Sequence, residues 1–259
     1  MNSKKEKLAR FGLISKGLVY LLIGGLTALA AFNLGGSKTG SSNALEFIAK
    51  QDYGKILLII TATGLVCYAL WRVYEAFVDT EDHGNDFKGI GIRIGFALSG
   101  SVYGLLAFSA FKIVIGSSSN SGGGSSKFQD FFATTLGTIV LVLVAIGIAG
   151  KAFYKLYSAY SGHFEKKLKE HEMDEKHRKT LLRLGKIGYA AKGIVISIVA
   201  FLFIKAAFTT KDVSAADKEG AFSFLQNTFG SFILGIIALG LIAYALYIFT
   251  EARYRRIKV

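Results

Sequence analysis

The chain has 259 residues, of which 52% are hydrophobic, and a formal net charge of +13. Its mean hydropathy is +0.43, and the apolar residues are gathered into long runs, which argues against a soluble globular protein. The single cysteine, Cys67, excludes an internal disulfide.

Six apolar runs follow one another along the chain, and each is a candidate membrane-spanning helix. About 20 helical residues cross the roughly 30 Å of hydrocarbon in a bilayer. Four runs contain no charged residue, and the other two carry lysines near their ends, where a long side chain can reach the interface. The predicted spans are 13–32, 56–71, 94–111, 131–150, 187–208 and 220–250. The expected fold class is therefore all-α, an integral membrane bundle of six transmembrane helices.

A unit of two helices occurs three times, which is the strongest pattern in the sequence. Positions that begin the first span recur 83 and 176 residues later. When the three copies are aligned, four columns contain glycine in every copy. They are Gly12, Gly95 and Gly188; Gly17, Gly100 and Gly193; Gly54, Gly137 and Gly230; and Gly64, Gly147 and Gly240. Small residues let helix backbones approach closely in a membrane, so all twelve are predicted to serve helix packing. The sequence predicts one membrane domain, 1–259, with repeats at 8–82, 91–165 and 184–258.

The basic residues divide unequally between the two sides of the predicted membrane. With the N-terminus in the cytosol, most Lys and Arg residues fall on the cytosolic side. This bias predicts a bacterial cytoplasmic membrane protein with both termini in the cytosol. The charge then serves topology and contact with anionic lipids of the cytosolic leaflet, and no nucleic-acid recognition motif accompanies it.

Several shorter segments have plain structural interpretations. Asn43 is expected to cap a short apolar helix in the first outer loop. Aromatic residues at the cytosolic ends of the even-numbered spans, among them Tyr68 and Tyr244, are interpreted as an aromatic belt. The charged segment 161–183 is interpreted as a cytosolic extension of the fourth span. Its histidines, His163, His171 and His177, lack metal-ligand spacing, and the sequence predicts no catalytic residue, no cofactor and no metal site.

One basic residue stands at the cytosolic mouth of each odd-numbered span: Arg10, Arg93 and Lys186. The plainer interpretation is a set of interfacial anchors that pair in part with Glu75 and Glu251. The sharper one is a ring around a pseudo-threefold axis that attracts an anion or a lipid headgroup. Lys16 and Lys192 lie six residues further in, about 9 Å along a helix, and are candidates for the same ring, although both are near enough to the boundary to reach it.

The pattern of a basic residue, glycine, lysine with glycine, and tyrosine opens three two-helix repeats and resembles the bacterial domain-of-unknown-function family 1206. The resemblance depends on Arg10, Gly12, Gly17 and Tyr20 with their copies, and extends over nearly the whole chain. Ile196 departs from the tyrosine position and Ser99 from the lysine position. The resemblance implies an integral membrane protein and transfers a topology without an activity.

Three functional hypotheses follow from these patterns. The first is a non-enzymatic structural or regulatory membrane module that acts through helix packing with a membrane protein partner or with a second copy. It is favoured because no Asp or Glu lies in the middle of a predicted span, where a proton or cation relay would usually place one. The alternative is a small channel or carrier for an anion, and the third is a lipid-binding protein. A polar path through the centre would favour transport.

Overall fold

The protein is described by a computed structural model that covers residues 2–78, 84, 86–116, 134–164, 175–210 and 216–254. Regular structure in these ranges is helical, which confirms the predicted all-α class. The helices are α1 Asn2–Ala31, α2 Ser41–Ala49, α3 Gly54–Val78, α4 Phe87–Val114, α5 Thr135–Ser161, α6 Glu175–Lys205, which a π-helical turn Ala206–Thr210 extends, and α7 Lys218–Tyr254.

All helices except α2 are long and apolar enough to cross a membrane, which confirms the six predicted spans. Two of these helices continue past the uncharged runs, through the basic and aromatic residues that the sequence predicts at the ends of the even-numbered spans. Helix α3 continues through Arg72 and Glu75, and α5 continues through Lys151 and Lys155. These charges belong to the spans themselves.

The six spans pack in chain order around a ring. Helix α1 contacts α3 and α7, α3 contacts α4, and α6 contacts both α5 and α7. The ring therefore closes between the first and last spans. Between α4 and α5 the described residues make at most a slight contact. In keeping with this opening, 22% of the apolar window is buried in each of these two helices, against 61% in α1 and in α7.

One glycine column holds neighbouring repeats together in all three copies. A Cβ at Gly17 would lie 2.7 Å from the ring of Phe249, on the last helix of the third repeat. The same contact recurs 83 and 176 residues further on: Gly100 would lie 2.9 Å from Val73, and Gly193 would lie 2.7 Å from Leu156. Each odd-numbered span thus packs on the preceding even-numbered span by one shared geometry, and the arrangement is pseudo-threefold.

Two other glycine columns close the hairpins of the first and third repeats. A Cβ at Gly12 would lie 2.6 Å from the backbone nitrogen of Tyr68, and a Cβ at Gly188 would lie 2.6 Å from that of Tyr244. Gly64 and Gly240 pack in the same way, against Ser15 and Ala191. Such short approaches leave no room for any side chain.

The second repeat lacks both contacts. A Cβ at Gly95 or at Gly147 would meet no atom of the described residues within 4 Å, and both glycines are exposed. The packing role predicted for these two residues is therefore not met. We call this gap between α4 and α5, marked by Gly95 and Gly147, the seam.

The fourth glycine column lies at the outer ends of the even-numbered spans. Gly54 begins α3, and the Gly137 amide donates a hydrogen bond to the Thr134 hydroxyl that caps α5. Gly230, at φ 82°, introduces a kink into α7. All three glycines were predicted to pack one helix against another. At Gly137 and Gly230 the structure shows instead a role in the geometry of the helix itself.

Two short helical segments fill the outer end of the bundle. Helix α2 and the first part of α7, before the kink, bury Ala44, Leu45, Ala221 and Phe222 completely. Asn43 lies inside α2 and donates a hydrogen bond of 2.7 Å to Glu219, whereas Gly40 is the residue that precedes the helix. The predicted cap at Asn43 is therefore wrong, and the residue links the two segments instead.

The charged cytosolic segment is divided between two helices. Helix α5 ends at Ser161, where Gly162 takes a left-handed conformation, and the charged residues from Glu175 onward begin α6. The predicted extension of the fourth span is thus an extension of the fifth. Residues 165–174, with His171, lie outside the described part of the chain, as does the side chain of His177.

Candidate functional site

The basic residues at the mouths of the odd-numbered spans cap helix ends. The Arg93 guanidinium donates hydrogen bonds to the carbonyls of Ala76 (2.7 Å) and Phe77 (3.0 Å), the last turn of α3. Arg10 donates to the equivalent carbonyls of Ala252 and Arg253 at the end of α7, and also contacts Glu6. Positive charge at a helix C-terminus satisfies free carbonyls and complements the helix dipole. Arg10 and Arg93 therefore cap helix ends and do not form an anion-binding ring, since their donors are directed at backbone carbonyls. Lys186, the third residue predicted for the ring, is exposed.

Glu75 and Glu251 lie inside the bundle and are the acidic side chains buried in the described part of the chain. The Arg72 guanidinium contacts the Glu75 carboxylate at 2.6 Å, and Glu251 also acts electrostatically on Arg72. The equivalent position in the second repeat is Ser158, which is buried as well. The two glutamates therefore compensate one basic side chain that sequence reasoning did not select.

Lys16 and Lys192 turn inward instead of reaching for the membrane boundary. Each donates a hydrogen bond of 2.9 Å to a tyrosine hydroxyl 52 residues later, Lys16 to Tyr68 and Lys192 to Tyr244. The lysines are only 6% and 7% exposed. The Tyr68 hydroxyl also accepts a hydrogen bond of 2.8 Å from Arg72. The expectation that these lysines reach the interface is wrong, because a buried polar partner holds them inside.

Aromatic faces surround the lysine ammonium groups. The Lys192 Nζ lies 4.3 Å from the ring centre of Tyr20 and 4.2 Å from that of Tyr244. The Lys16 Nζ lies 4.7 Å from the ring centre of Tyr68. Cation–π contacts of this kind stabilise a desolvated cation. Tyr68 and Tyr244 are almost fully buried, so their interpretation as an aromatic belt is also wrong.

The second repeat has different residues in this arrangement. Ser99 stands where the other repeats have the buried lysine, and Lys151 stands where they have the tyrosine. Lys155 takes the position of Arg72 and approaches the Tyr189 ring centre to 4.3 Å. Lys151 is exposed at the seam and acts electrostatically on Tyr68, Lys16 and Arg72.

Five basic side chains on four helices therefore lie within electrostatic reach of one another, two of them buried, two half-buried and one exposed. We call them the interior basic cluster: Lys16, Arg72, Lys151, Lys155 and Lys192. The charged groups that act most strongly on Lys192 are all basic, namely Lys16, Lys155, Lys151 and Lys218. Burying like charges together is unfavourable unless an opposite charge compensates them. This arrangement is suited to holding an anion.

Sequence reasoning found two members of this cluster and missed three. It selected Lys16 and Lys192 because they interrupt apolar runs, but it treated Arg72, Lys151 and Lys155 as basic neighbours of an aromatic belt at the membrane boundary. A signal was present in the repeat alignment, because the second repeat lacks the lysine of one column and has a lysine in the tyrosine column. Such a paired change is expected where two columns face one another.

Comparison with known proteins agrees with the three repeats. The profile of a family described as Domain of Unknown Function (DUF1206) matches residues 11–79, 94–162 and 187–255, each inside one predicted repeat. The chain is similar to an uncharacterized Bacillus subtilis (strain 168) protein, YxxB, with 31% identity over 255 residues that cover 96% of this chain and 91% of the relative. No solved structure matches the chain.

Proposed function

The chain belongs to the DUF1206 family of three-repeat membrane proteins, and we propose that this protein binds an anion within its interior basic cluster. The observation that carries the proposal is the pair of buried lysines, Lys16 and Lys192, inside the membrane-spanning segments among further basic residues. It develops the anion alternative and moves the site from the mouth of the bundle to its interior.

The energetic argument begins with the cost of burying charge. Removing an ammonium group from water costs several kcal/mol unless a counter-charge and hydrogen bonds compensate it. The two buried glutamates lie near Arg72, and tyrosine hydroxyls and rings supply only partial charges to the lysines. A bound anion would supply the missing compensation.

A role in helix packing alone accounts less well for these residues. Packing in the first and third repeats is already provided by glycines pressed against the backbones of Tyr68 and Tyr244. Apolar side chains would fill the space beside them without the cost of desolvation. The lysines therefore favour a ligand-binding role, without catalysis, over the purely structural module.

The outer end of the bundle supports binding over free passage through an open pore. Leu45 of α2 and Phe222 of α7 are fully buried there, in one continuous apolar cluster with the transmembrane helices. An anion held at the basic cluster would have to displace these segments in order to leave on the outer side. Transport would thus need a rearrangement, whereas binding needs none.

The proposal is tested by ligand-dependent stability of the delipidated protein in a neutral detergent. Sodium phosphate, compared with sodium chloride at equal ionic strength, and phosphatidylglycerol are the two probes. At least one is expected to raise the thermal midpoint of the wild type, and the double variant Lys16→Met/Lys192→Met is expected to lose at least half of that rise. Lys112→Met is the control, because Lys112 lies in the last turn of α4, against Phe108.

Two outcomes would overturn the proposal. One is that neither probe stabilises the wild type, as expected if the lysines shed their protons and need no counter-charge. The other is equal stabilisation of the wild type and the double variant, which would place the anion elsewhere. Circular dichroism of each variant establishes that it is folded before the comparison is made.

A further inference from the structure

The seam leaves one member of the basic cluster, Lys151, exposed on the side of the bundle between α4 and α5. In the first and third repeats the odd and even helices meet at Gly12 and Gly188, and nothing can pass between them. In the second repeat the equivalent Gly95 faces open space, and so does Gly147 on the opposite helix. The opening therefore lies between two membrane-spanning helices, on a side of the bundle that faces the bilayer.

A basic residue stands in this opening at membrane depth. Lys151 lies ten residues before the end of α5, about 15 Å along the helix. It is exposed, although its counterparts Tyr68 and Tyr244 are buried. A lysine on the surface of a membrane span is costly unless it meets a polar partner. A partner that approaches from the bilayer would meet that need.

The flanks of the seam are apolar. Leu98 and Val102 of α4 are 63% and 62% exposed, whereas their counterparts in the first repeat, Ser15 and Val19, are buried. On the other side, Val144 of α5 is 42% exposed, whereas its counterpart Thr61 is buried. An opening with apolar flanks and a basic interior complements a molecule with an anionic head and apolar tails.

From this geometry we infer that the anion is the headgroup of a phospholipid from the cytosolic leaflet, which enters sideways through the seam. The phosphate lies among Lys151, Lys155, Lys16 and Lys192, and the acyl chains extend past Val102 and Val144 into the bilayer. The inference depends on the proposed function, to which it adds the ligand class and the route. A free anion is the competing source, because it offers the same charge without the tails.

The depth of the cluster fits this arrangement. Lys16 lies about 9 Å further in than Arg10, by 1.5 Å per helical residue, and Lys155 lies a similar distance before the end of α5. Arg10 itself is at the level where α7 ends. A headgroup drawn in to the lysines would be slightly deeper than its neighbours in the leaflet, and its tails would still lie within the hydrocarbon layer.

The experiment measures lipid affinity with the seam open and with the seam filled. Delipidated protein in neutral detergent is titrated with phosphatidylglycerol or phosphatidylcholine, and bound lipid is counted by native mass spectrometry. Gly147→Trp and, on the facing helix, Gly95→Trp are designed to fill the seam, since a Cβ at either position meets no atom of the described residues within 4 Å. Leu239→Trp is the matched control, because Leu239 is 52% exposed on α7, away from the seam.

We expect the wild type and Leu239→Trp to bind phosphatidylglycerol at least tenfold more tightly than phosphatidylcholine. Both seam variants are expected to lose at least tenfold in affinity for phosphatidylglycerol, and Lys151→Met is expected to lose the preference for the anionic lipid. Stabilisation of the seam variants by inorganic phosphate, if the wild type shows it, should remain.

The results separate the inference from the proposed function. Phosphate stabilisation that depends on Lys16 and Lys192, with equal lipid affinity in the wild type and both seam variants, overturns the lateral route and leaves anion binding in place. If neither phosphate nor phosphatidylglycerol binds, both fail. A wild type that is dimeric, becomes monomeric on Gly147→Trp and shows no preference for the anionic lipid would assign the seam to a second copy and overturn the lipid inference.

Discussion

Individual basic residues in this protein have different roles according to their position on the helix. Arg10 and Arg93 lie where an even-numbered helix ends, so their guanidinium groups meet free carbonyls. Lys16 and Lys192 lie two turns further in, where backbone carbonyls are already used within the helices, and they meet tyrosine hydroxyls instead. The role of each basic residue therefore depends on which hydrogen-bond acceptor lies nearest to its side chain.

Removal of a capping arginine should therefore reduce stability whether or not an anion is present. Arg93→Ala is expected to lower the free energy of unfolding by about 1.5–3 kcal/mol, the usual contribution of a hydrogen bond with a charged partner. Thermal and denaturant unfolding in detergent measure this effect. Arg183→Ala, which alters an exposed residue on α6, serves as the control and should change little. Unchanged stability of Arg93→Ala together with weaker phosphate binding would instead restore the ring at the mouth of the bundle.

At the scale of the helices, the three repeats share one sequence pattern but differ in how closely their two helices pack. The first and third hairpins are closed by glycine contacts at Gly12 and Gly188, and the second is open although it has the same glycine at position 95. The residue that faces this glycine on the even-numbered helix explains the difference in part. It is Tyr68 or Tyr244 in the closed hairpins and Lys151 in the open one, and a lysine beside Lys16 and Arg72 is repelled by them.

The same substitution should accordingly have opposite effects in different repeats. Gly12→Ala and Gly188→Ala are expected to lower the free energy of unfolding by about 1–3 kcal/mol, because the new methyl group would overlap the facing backbone. Gly95→Ala is expected to be neutral or to stabilise by up to about 1 kcal/mol, since alanine is the better helix former.

Unfolding of the three variants under identical detergent conditions measures the difference, and the wild type is the common reference. Equal destabilisation by Gly95→Ala and Gly12→Ala would show that the second hairpin is closed as well, which would remove the seam.

At the scale of the whole molecule, the distribution of charge predicts an orientation in the membrane. The bias of Lys and Arg toward one side predicts that both termini face the cytosol. The basic cluster then lies in the cytosolic half of the membrane. The short segments that close the bundle, α2 and the start of α7, then lie on the outer side.

This orientation is tested by labelling single cysteines with a membrane-impermeant maleimide in right-side-out vesicles. In a Cys67→Ala background, Ser37→Cys before α2 should react at once, whereas Gly84→Cys, between α3 and α4, should react only after the membrane is dissolved. The opposite pattern would invert the topology and would move the cluster to the outer leaflet.

Much of this architecture was readable from the chain alone. The six spans and the three repeats follow from hydropathy and from glycines kept in phase, because a membrane requires long apolar helices and their close packing tolerates only small residues. The basic residues at the ends of the even-numbered spans, Arg72 and Lys155 among them, were predicted to lie at the membrane boundary, since a charge usually marks that boundary. That rule fails where a charged residue faces the interior of the bundle.

The sequence by itself determined that a two-helix unit is repeated three times, because periodic glycines and apolar runs are properties of the chain in one dimension. Only the tertiary structure decided that the second unit is open and that Lys16 and Lys192 turn inward to tyrosine hydroxyls. Which faces of the helices look inward depends on contacts between repeats that are distant in sequence. Those contacts bring together basic residues that, in the sequence alone, look like ordinary anchors at the membrane interface.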